Sequence, residues 1–308
     1  MTTPLKEPMN PRPFPIPVVA EVLPIGPGSQ IDDEDGTLDY LVMPQGMSTW
    51  SPPRLPEPED LAGHDGAIRV LDAVLDAARA AVAGAVVEPV MLQGLNAADL
   101  ALLNQVLGEG EVSAQVLPDP DLPDAPVAQI QESVYPGVWR VIGRDAAGQP
   151  FDQVEVGDVP QVLREAAWTD GLRPAPVELA APPGVVNAPA LRVELDEQRL
   201  RRAGLAADEP PHVVNLTLLP VTPEDIGWLD HHLGTGRVVI LSRGYGNCRI
   251  TNCLAAGTWR LVYYNSQDQV ILNTVEIGRL PEVACAAPED LHDSVERLAD
   301  VLHWVRQS

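Results

Sequence analysis

The pattern of apolar and polar positions changes along the chain. From Asp65 to Val87 it places Ile68, Leu71, Val74, Leu75, Ala78 and Val82 on one face at three- and four-residue spacing, which predicts an amphipathic helix. The same spacing recurs in LNAADLALLNQVLGEGEV (95–112) and VTPEDIGWLDHHLGTGRV (221–238). Asn96 and Thr222-Pro223-Glu224-Asp225 are good helix starts, because their side chains can satisfy free N–H groups and the acids meet the positive end of the dipole. Gly108 and Gly234 stand where a left-handed cap ends a helix. Strands are predicted at 237–242, 258–265 and 269–277, with Asn265-Ser266-Gln267-Asp268 as the hairpin turn between the last two.

These elements occur twice. At an offset of 126, Asp99 falls on Asp225, Leu103 on Leu229, Leu107 on Leu233, Gly108 on Gly234 and Gly110 on Gly236. After small shifts GVWRV (137–141) falls on GTWRL (257–261), and VEVGDVP (154–160) on VEIGRLP (275–281). Three blocks in one order indicate an internal duplication. The fold class expected is α+β: two tandem homologous repeats, each a helix packed on a mostly antiparallel sheet, with a pseudo-twofold pair sharing a sheet or core. The boundaries read as 61–171 for the first repeat and 191–308 for the second. The stretch 172–190, rich in proline, reads as an extended linker. Residues 1–60 carry many prolines and the run Asp32-Asp33-Glu34-Asp35, and they read as an extended, acidic, Pro-rich arm.

Charge narrows the function classes. With 44 acidic and 20 basic side chains the 308-residue chain carries −24. A nucleic-acid backbone or an anionic membrane surface is repelled by such a surface, whereas a basic segment of a partner is attracted. No apolar run approaches a membrane span, and the proline-rich start is unlike a targeting helix. Cys248, Cys253 and Cys285 are too few for a disulfide framework and suit a reducing compartment. A cytoplasmic location is therefore expected.

The two copies differ most at RGYGNCRITNC (243–253), which the first replaces with an unlike stretch at 114–133. Gly244-Tyr245-Gly246 begins like a dinucleotide fingerprint, but Arg249 stands at its third glycine and no helix follows, so a tight loop between strands is the better account. Cys248 and Cys253 lack the further ligands of a zinc or cluster site, and on a strand they point to opposite faces. The pair His231-His232 sits where a cation suits the end of a helix, and Glu289-x-x-His292 is a solvated helix face. Nothing assembles a nucleophile, a base and an orienting third group, so neither catalysis nor a bound cofactor is expected.

Residues 218–298, above all the run from SRGYGNCRI through Asn265-Ser266 to ILNT, resemble the carboxy-terminal domain of the HupH/HyaF/HoxQ family of NiFe-hydrogenase expression and formation proteins. The duplication and MPQGMSTWSPPRLPEPE (43–59) extend the likeness over most of the chain. The resemblance implies an accessory maturation chaperone of an uptake hydrogenase. It would bind the iron-sulfur small-subunit precursor, beside a thioredoxin-like companion, before twin-arginine export. The interface expected is the loop Arg243, Gly244, Tyr245, Gly246, Asn247 and Cys248 with Trp228 and Trp259. The alternative is an iron-sulfur or metal-handling factor that uses Cys248 and Cys253.

Overall fold

The computed structural model describes residues 63–174, 176–177, 179–202, 209–244 and 246–307, and the expected arm of residues 1–60 lies outside them. The first repeat runs α1 (Asp65–Val82), β1 (Val90–Met91), α2 (Ala97–Leu107), β2 (Val112–Val116), β3 (Val127–Glu132), β4 (Val138–Arg144), β5 (Pro150–Val156) and α3 (Gln161–Gly171). The second runs α4 (Ala188–Arg202), β6 (His212–Asn215), α5 (Pro223–Leu233), β7 (Val238–Ser242), β8 (Asn247–Asn252), β9 (Thr258–Tyr264), β10 (Val270–Ile277), a 3-10 turn (Glu282–Ala284) and α6 (Pro288–Gln307).

All ten strands join in one sheet, ordered β1-β5-β4-β3-β2-β7-β8-β9-β10-β6, with every neighbouring pair antiparallel. The repeats meet where β2 pairs with β7. There Ala114 lies opposite Ile240, its own counterpart at the 126-residue offset, so a pseudo-twofold axis passes through that pair.

The sheet alternates burial along each strand, as its two packed faces require. Val112, Ala114, Val116, Ile130, Trp139, Val238, Ile240, Ile250 and Trp259 point to one face, where α3 and the 3-10 turn complete a core shared by both repeats. On the opposite face α1, α2 and α6 cover β4 and β5, and α4 and α5 cover β10 and β6, as two separate cores. The terminal helices cross between repeats. Helix α6 ends the second copy yet packs on α1, and α3 of the first copy presses Gly171 onto Ala256 of the second.

Local signals account for the helix ends. Asn96 accepts from the Asp99 N–H at 2.9 Å, and Thr222 and Asp225 form a reciprocal capping box. Gly108 and Gly234 end their helices with φ of 56° and 64°, but with ψ of −163° and 166°. That is a glycine-only extended region and not the left-handed helical cap expected. Helix α1 stops at Val82 and not at Val87, because Gly84 turns the chain at φ 82°.

Helices α3 and α4 escaped the sequence pattern, which marks α6 only through the Glu289–His292 face. Helix α4 begins at Ala188, inside the stretch read as linker, and its start is satisfied from far away. Asp225 accepts from the N–H groups of Val186, Asn187 and Ala188 at 2.7, 2.9 and 2.9 Å. Burial opposes the charge of Asp225, but with Thr222 these donors hold its carboxyl down at about 2. Asp99, its counterpart, sits likewise at the start of α1, against Gly66 and 3.2 Å from the His64 ring. Helices α3 and α6 follow the strands that end each copy; α3 buries Leu163 and Ala166 in the core shared by both repeats, and α6 buries Leu298 and Leu302 in the helical core of the first.

Candidate functional site

The loop found only in the second copy joins β7 to β8 beside the repeat junction. Arg243, Gly244 and Gly246 are exposed and Asn247 is half-buried, where it opens β8 opposite Tyr264. Tyr245 lies outside the described residues. The Arg243 N–H donates to the Glu111 carbonyl at 3.1 Å, so the first repeat holds the loop of the second. By the pseudo-twofold, the Leu117 N–H donates to the Arg237 carbonyl at 2.9 Å. Gly244 has a steric reason: a Cβ there would stand 2.1 Å from a carboxylate oxygen of Glu111. Gly246 has φ 100°, a backbone that L side chains rarely adopt.

The two ends of this junction differ in chemistry. At one end Arg237 is locked: its N–H and Nε donate to Asp170 at 2.6 and 2.7 Å, and the Asn252 amide donates to the same carboxylate at 3.0 Å. Asp170 is fully buried and Arg237 is 4% exposed. At the other end the matching positions are acids, Glu111 for Arg237 and Glu132 for Asn252. Burial pushes the Glu132 carboxyl up to about 7, against N–H donors from Gly137 and Val112 and reinforced by Glu111 and Asp290. Partial burial also raises Glu109, with Arg243 pulling the other way. The loop therefore sits on an acidic end of the junction. Pattern reading missed these glutamates, although the alignment that pairs Gly110 with Gly236 sets Glu111 against Arg237.

The other expected site residues lie elsewhere. Cys248 is 2% exposed in the core shared by the repeats, and burial pushes its thiol up to about 12. Cys253 is 5% exposed in the α4–α5 core on the opposite face of the sheet, and burial pushes it up to about 12 as well. Two thiols separated by the sheet cannot share one metal ion in this fold. Among the described residues no group of three or more His, Cys, Asp or Glu is placed to hold a metal. Trp259 is 4% exposed in the shared core, with its indole on β9 at the end of the β8–β9 hairpin far from the loop. It offers no face to a partner. Trp228 is half-buried on α5, where its Nε1 donates to the Leu179 carbonyl at 3.2 Å. His232 accepts from the Leu179 N–H at 3.2 Å and His231 lies 3.0 Å from the Val177 carbonyl, so this cluster fastens the inter-repeat segment onto α5.

The duplication exposes one more anomaly. In the first copy the buried Arg140 donates twice to Asp152, both at 2.6 Å, and once to Asn104 at 2.9 Å. In the second copy Arg260 takes the place of Arg140, Asp230 that of Asn104 and Asn273 that of Asp152, so the acid has moved from strand to helix. The new pair is poorly made. Arg260 is 2% exposed, its nearest Asp230 oxygen is 3.6 Å away, and none of its three nitrogens has a hydrogen-bond partner. Burial lifts the Asp230 carboxyl to about 6 in spite of Arg260.

Comparison with known proteins agrees with the duplication. A family model described as the C-terminal conserved region of HupH hydrogenase expression protein matches twice, at residues 66–171 and 185–305. The chain is 50% identical over 292 residues to the hydrogenase expression/formation protein HoxQ of Cupriavidus necator, covering 95% of this chain and 98% of that one. It is 44% identical over 284 residues to the hydrogenase expression/formation protein HupH of Rhodobacter capsulatus, covering 91% and 96%. It is 35% identical over 222 residues to the hydrogenase-1 operon protein HyaF of Escherichia coli, covering 70% and 73%.

Proposed function

The chain belongs to the family of HupH hydrogenase expression proteins, and from that premise we propose that it acts as a non-catalytic accessory of NiFe-hydrogenase maturation in the cytoplasm. Its partner is the iron-sulfur small-subunit precursor, bound before twin-arginine export, with a thioredoxin-like protein as a companion. The names of its relatives, proteins of hydrogenase expression and formation, support the maturation role. No described helix is long and apolar enough to cross a membrane.

The observation that carries the site is the loop of the exposed Arg243, Gly244 and Gly246 with the half-buried Asn247, unique to the second copy and seated on Glu109 and Glu111 of the first. Its glycines bring backbone N–H and C=O groups to the surface without side-chain cover, which suits contact with an extended chain. The acids beneath it favour a basic segment, such as the arginine pair of an export peptide, mainly through the association rate. Binding of the purified chain to the small-subunit precursor, followed by calorimetry across a salt series, tests this. The expected affinity falls as salt rises and is lost in a Glu109→Gln, Glu111→Gln double variant. Binding that ignores both salt and the double variant removes the electrostatic site.

A further inference from the structure

The buried polar atoms that lack partners are concentrated in one place. Among the described residues eight buried side-chain nitrogens and oxygens have no hydrogen-bond partner, and six of them belong to four residues gathered over Val262 on β9. They are Nε, Nη1 and Nη2 of Arg260, Nε of Arg249, Oδ2 of Asp230 and Oδ1 of Asn273. Arg249 lies opposite Val262 on β8 and Asn273 opposite it on β10, while Arg260 stands two residues before it on the same face. Diagonal neighbours of this kind have their stems about 7 Å apart, within reach of a guanidinium. Asp230 closes the group from α5, 3.6 Å from Arg260. The Tyr264 phenol reports that both guanidiniums converge here, because burial raises it while Arg249 and Arg260 both pull it back.

The first copy shows what is missing. There one cation, Arg140, is held by one carboxylate, Asp152, with Asn104 beside it. Gln129 stands opposite Ile142 where the second copy has Arg249 opposite Val262. The second copy has therefore added a cation and moved its single carboxylate to the helix, which sets two guanidiniums against Asp230. Although the chain carries −24, no further carboxylate pairs with either arginine among the described residues. Buried charges and polar groups left unpaired cost free energy, so such a cluster persists where an occupant supplies the missing bonds.

The unpaired atoms specify the chemistry of that occupant. The nitrogens are N–H donors on two cations, so it offers lone pairs and one negative charge. The oxygens of Asp230 and Asn273 are acceptors, so it also offers a hydrogen. A small oxyanion that keeps a proton, such as bicarbonate or dihydrogen phosphate, has both. Sulfate and nitrate bring acceptors alone, which the Asp230 carboxylate repels. The planar fork of arginine matches such oxygens. Access is open, because Arg249 is half-buried, the Asp230 side chain is 11% exposed and neither helical core on this face includes a residue of β7 or β8. We propose that Arg249, Arg260, Asn273 and Asp230 form a binding site for one protonated, singly charged oxyanion, with the arginines on its oxygens and Asp230 accepting from its hydroxyl. The inference does not depend on the function proposed above.

The test is calorimetric titration of the full chain at pH 7 and constant ionic strength with sodium bicarbonate, phosphate, sulfate and nitrate in separate arms. Bicarbonate, phosphate or both are expected to bind about tenfold or more tightly than sulfate and nitrate, the margin of a charge-assisted hydrogen bond. The arms show which oxyanion the site takes. No binding of either, because water alone fills the cluster, or equal binding of all four anions overturns the site. Arg249→Gln, which restores the residue of the first copy, is expected to weaken binding about tenfold. The exchange Asp230→Asn, Asn273→Asp pairs Arg260 from within and is expected to abolish binding, with circular dichroism unchanged. Binding that survives the exchange in a folded chain counts equally against the site.

Discussion

The second copy's buried arginine can be repaired by copying the first. In Asp230→Asn, Asn273→Asp, Arg260 gains the strand carboxylate that Arg140 grips with two hydrogen bonds of 2.6 Å. Charge-assisted bonds of this kind contribute about 1.5–3 kcal/mol each. Only the surplus over the present 3.6 Å pair counts, so a gain of about 2 kcal/mol is expected. For a folded unit of this size that corresponds to roughly 4–8 °C in Tm. Asp230→Asn alone mimics the protonated carboxyl that the folded state favours up to about pH 6, so it is expected to cost little at pH 7.5, and the gain of the double variant is read against it. The pH dependence provides a second reading. Asp230 is raised from 3.8 to about 6 in the folded state, so its contribution is complete below pH 3.8 and is lost as pH rises towards 6. The exchanged variant lacks that loss, and its advantage over wild type is largest above pH 6. Urea unfolding at pH 7.5 with unchanged m-value, repeated at pH 4.5, measures both effects. If the double variant is no more stable than Asp230→Asn, the strand and helix positions are not equivalent and the reasoning from the duplication fails.

Three further outcomes are expected. Glu132 is 5% exposed with its carboxyl raised from 4.5 to about 7, so wild type loses stability on the order of 3 kcal/mol as pH climbs through that window. Glu132→Gln keeps acceptors for the Gly137 and Val112 N–H groups and flattens the profile, and an unchanged pH–stability curve contradicts the assignment. Asp170→Ala strands Arg237 at the junction and lowers stability by about 3–5 kcal/mol, as chemical denaturation will show; a loss under 1 kcal/mol means that the lock is dispensable. Cys248 and Cys253 are buried and burial raises both thiols to about 12, so maleimide labelling of these two at pH 7.5 is expected to proceed only through unfolding. Rapid native labelling of Cys248 reopens thiol or metal chemistry at that residue.

The parts legible in the sequence are those whose causes are local. Helices α2 and α5 carry their own caps in Asn96 and Thr222, and the hairpin turn at Asn265 is held by its own side chain, which accepts from the Gln267 and Gln269 N–H groups at 2.8 and 3.0 Å. Helix α4 was hidden because its cap, Asp225, comes from α5 and its surface is charged on most sides. Trp259 illustrates the same limit in the site. Its aromatic ring fits an interface as well as a core until the sheet shows which face it occupies. Aligning the copies predicts equal roles at matched positions, and that holds for Asp99 and Asp225 or Gly110 and Gly236. Gly110 and Gly236 both donate to the strand across from them, at 2.7 and 2.8 Å.

The two copies are most informative where the equivalence breaks. A duplicated fold needs only one solution for each structural position, and the first copy shows that Asp152 with Asn104 is sufficient for its arginine. The exchange at Arg260, the acids at Glu111 and Glu132, and the glycine loop at 243–246 are departures that folding alone does not require. Two of the three lie together. The loop of the second copy rests on the acids of the first, at the end of the junction where the matching Arg237 lock is absent. A surface composed from both repeats exists only once the β2–β7 pair has formed, so under the function proposed above a partner would meet the assembled platform and neither half alone.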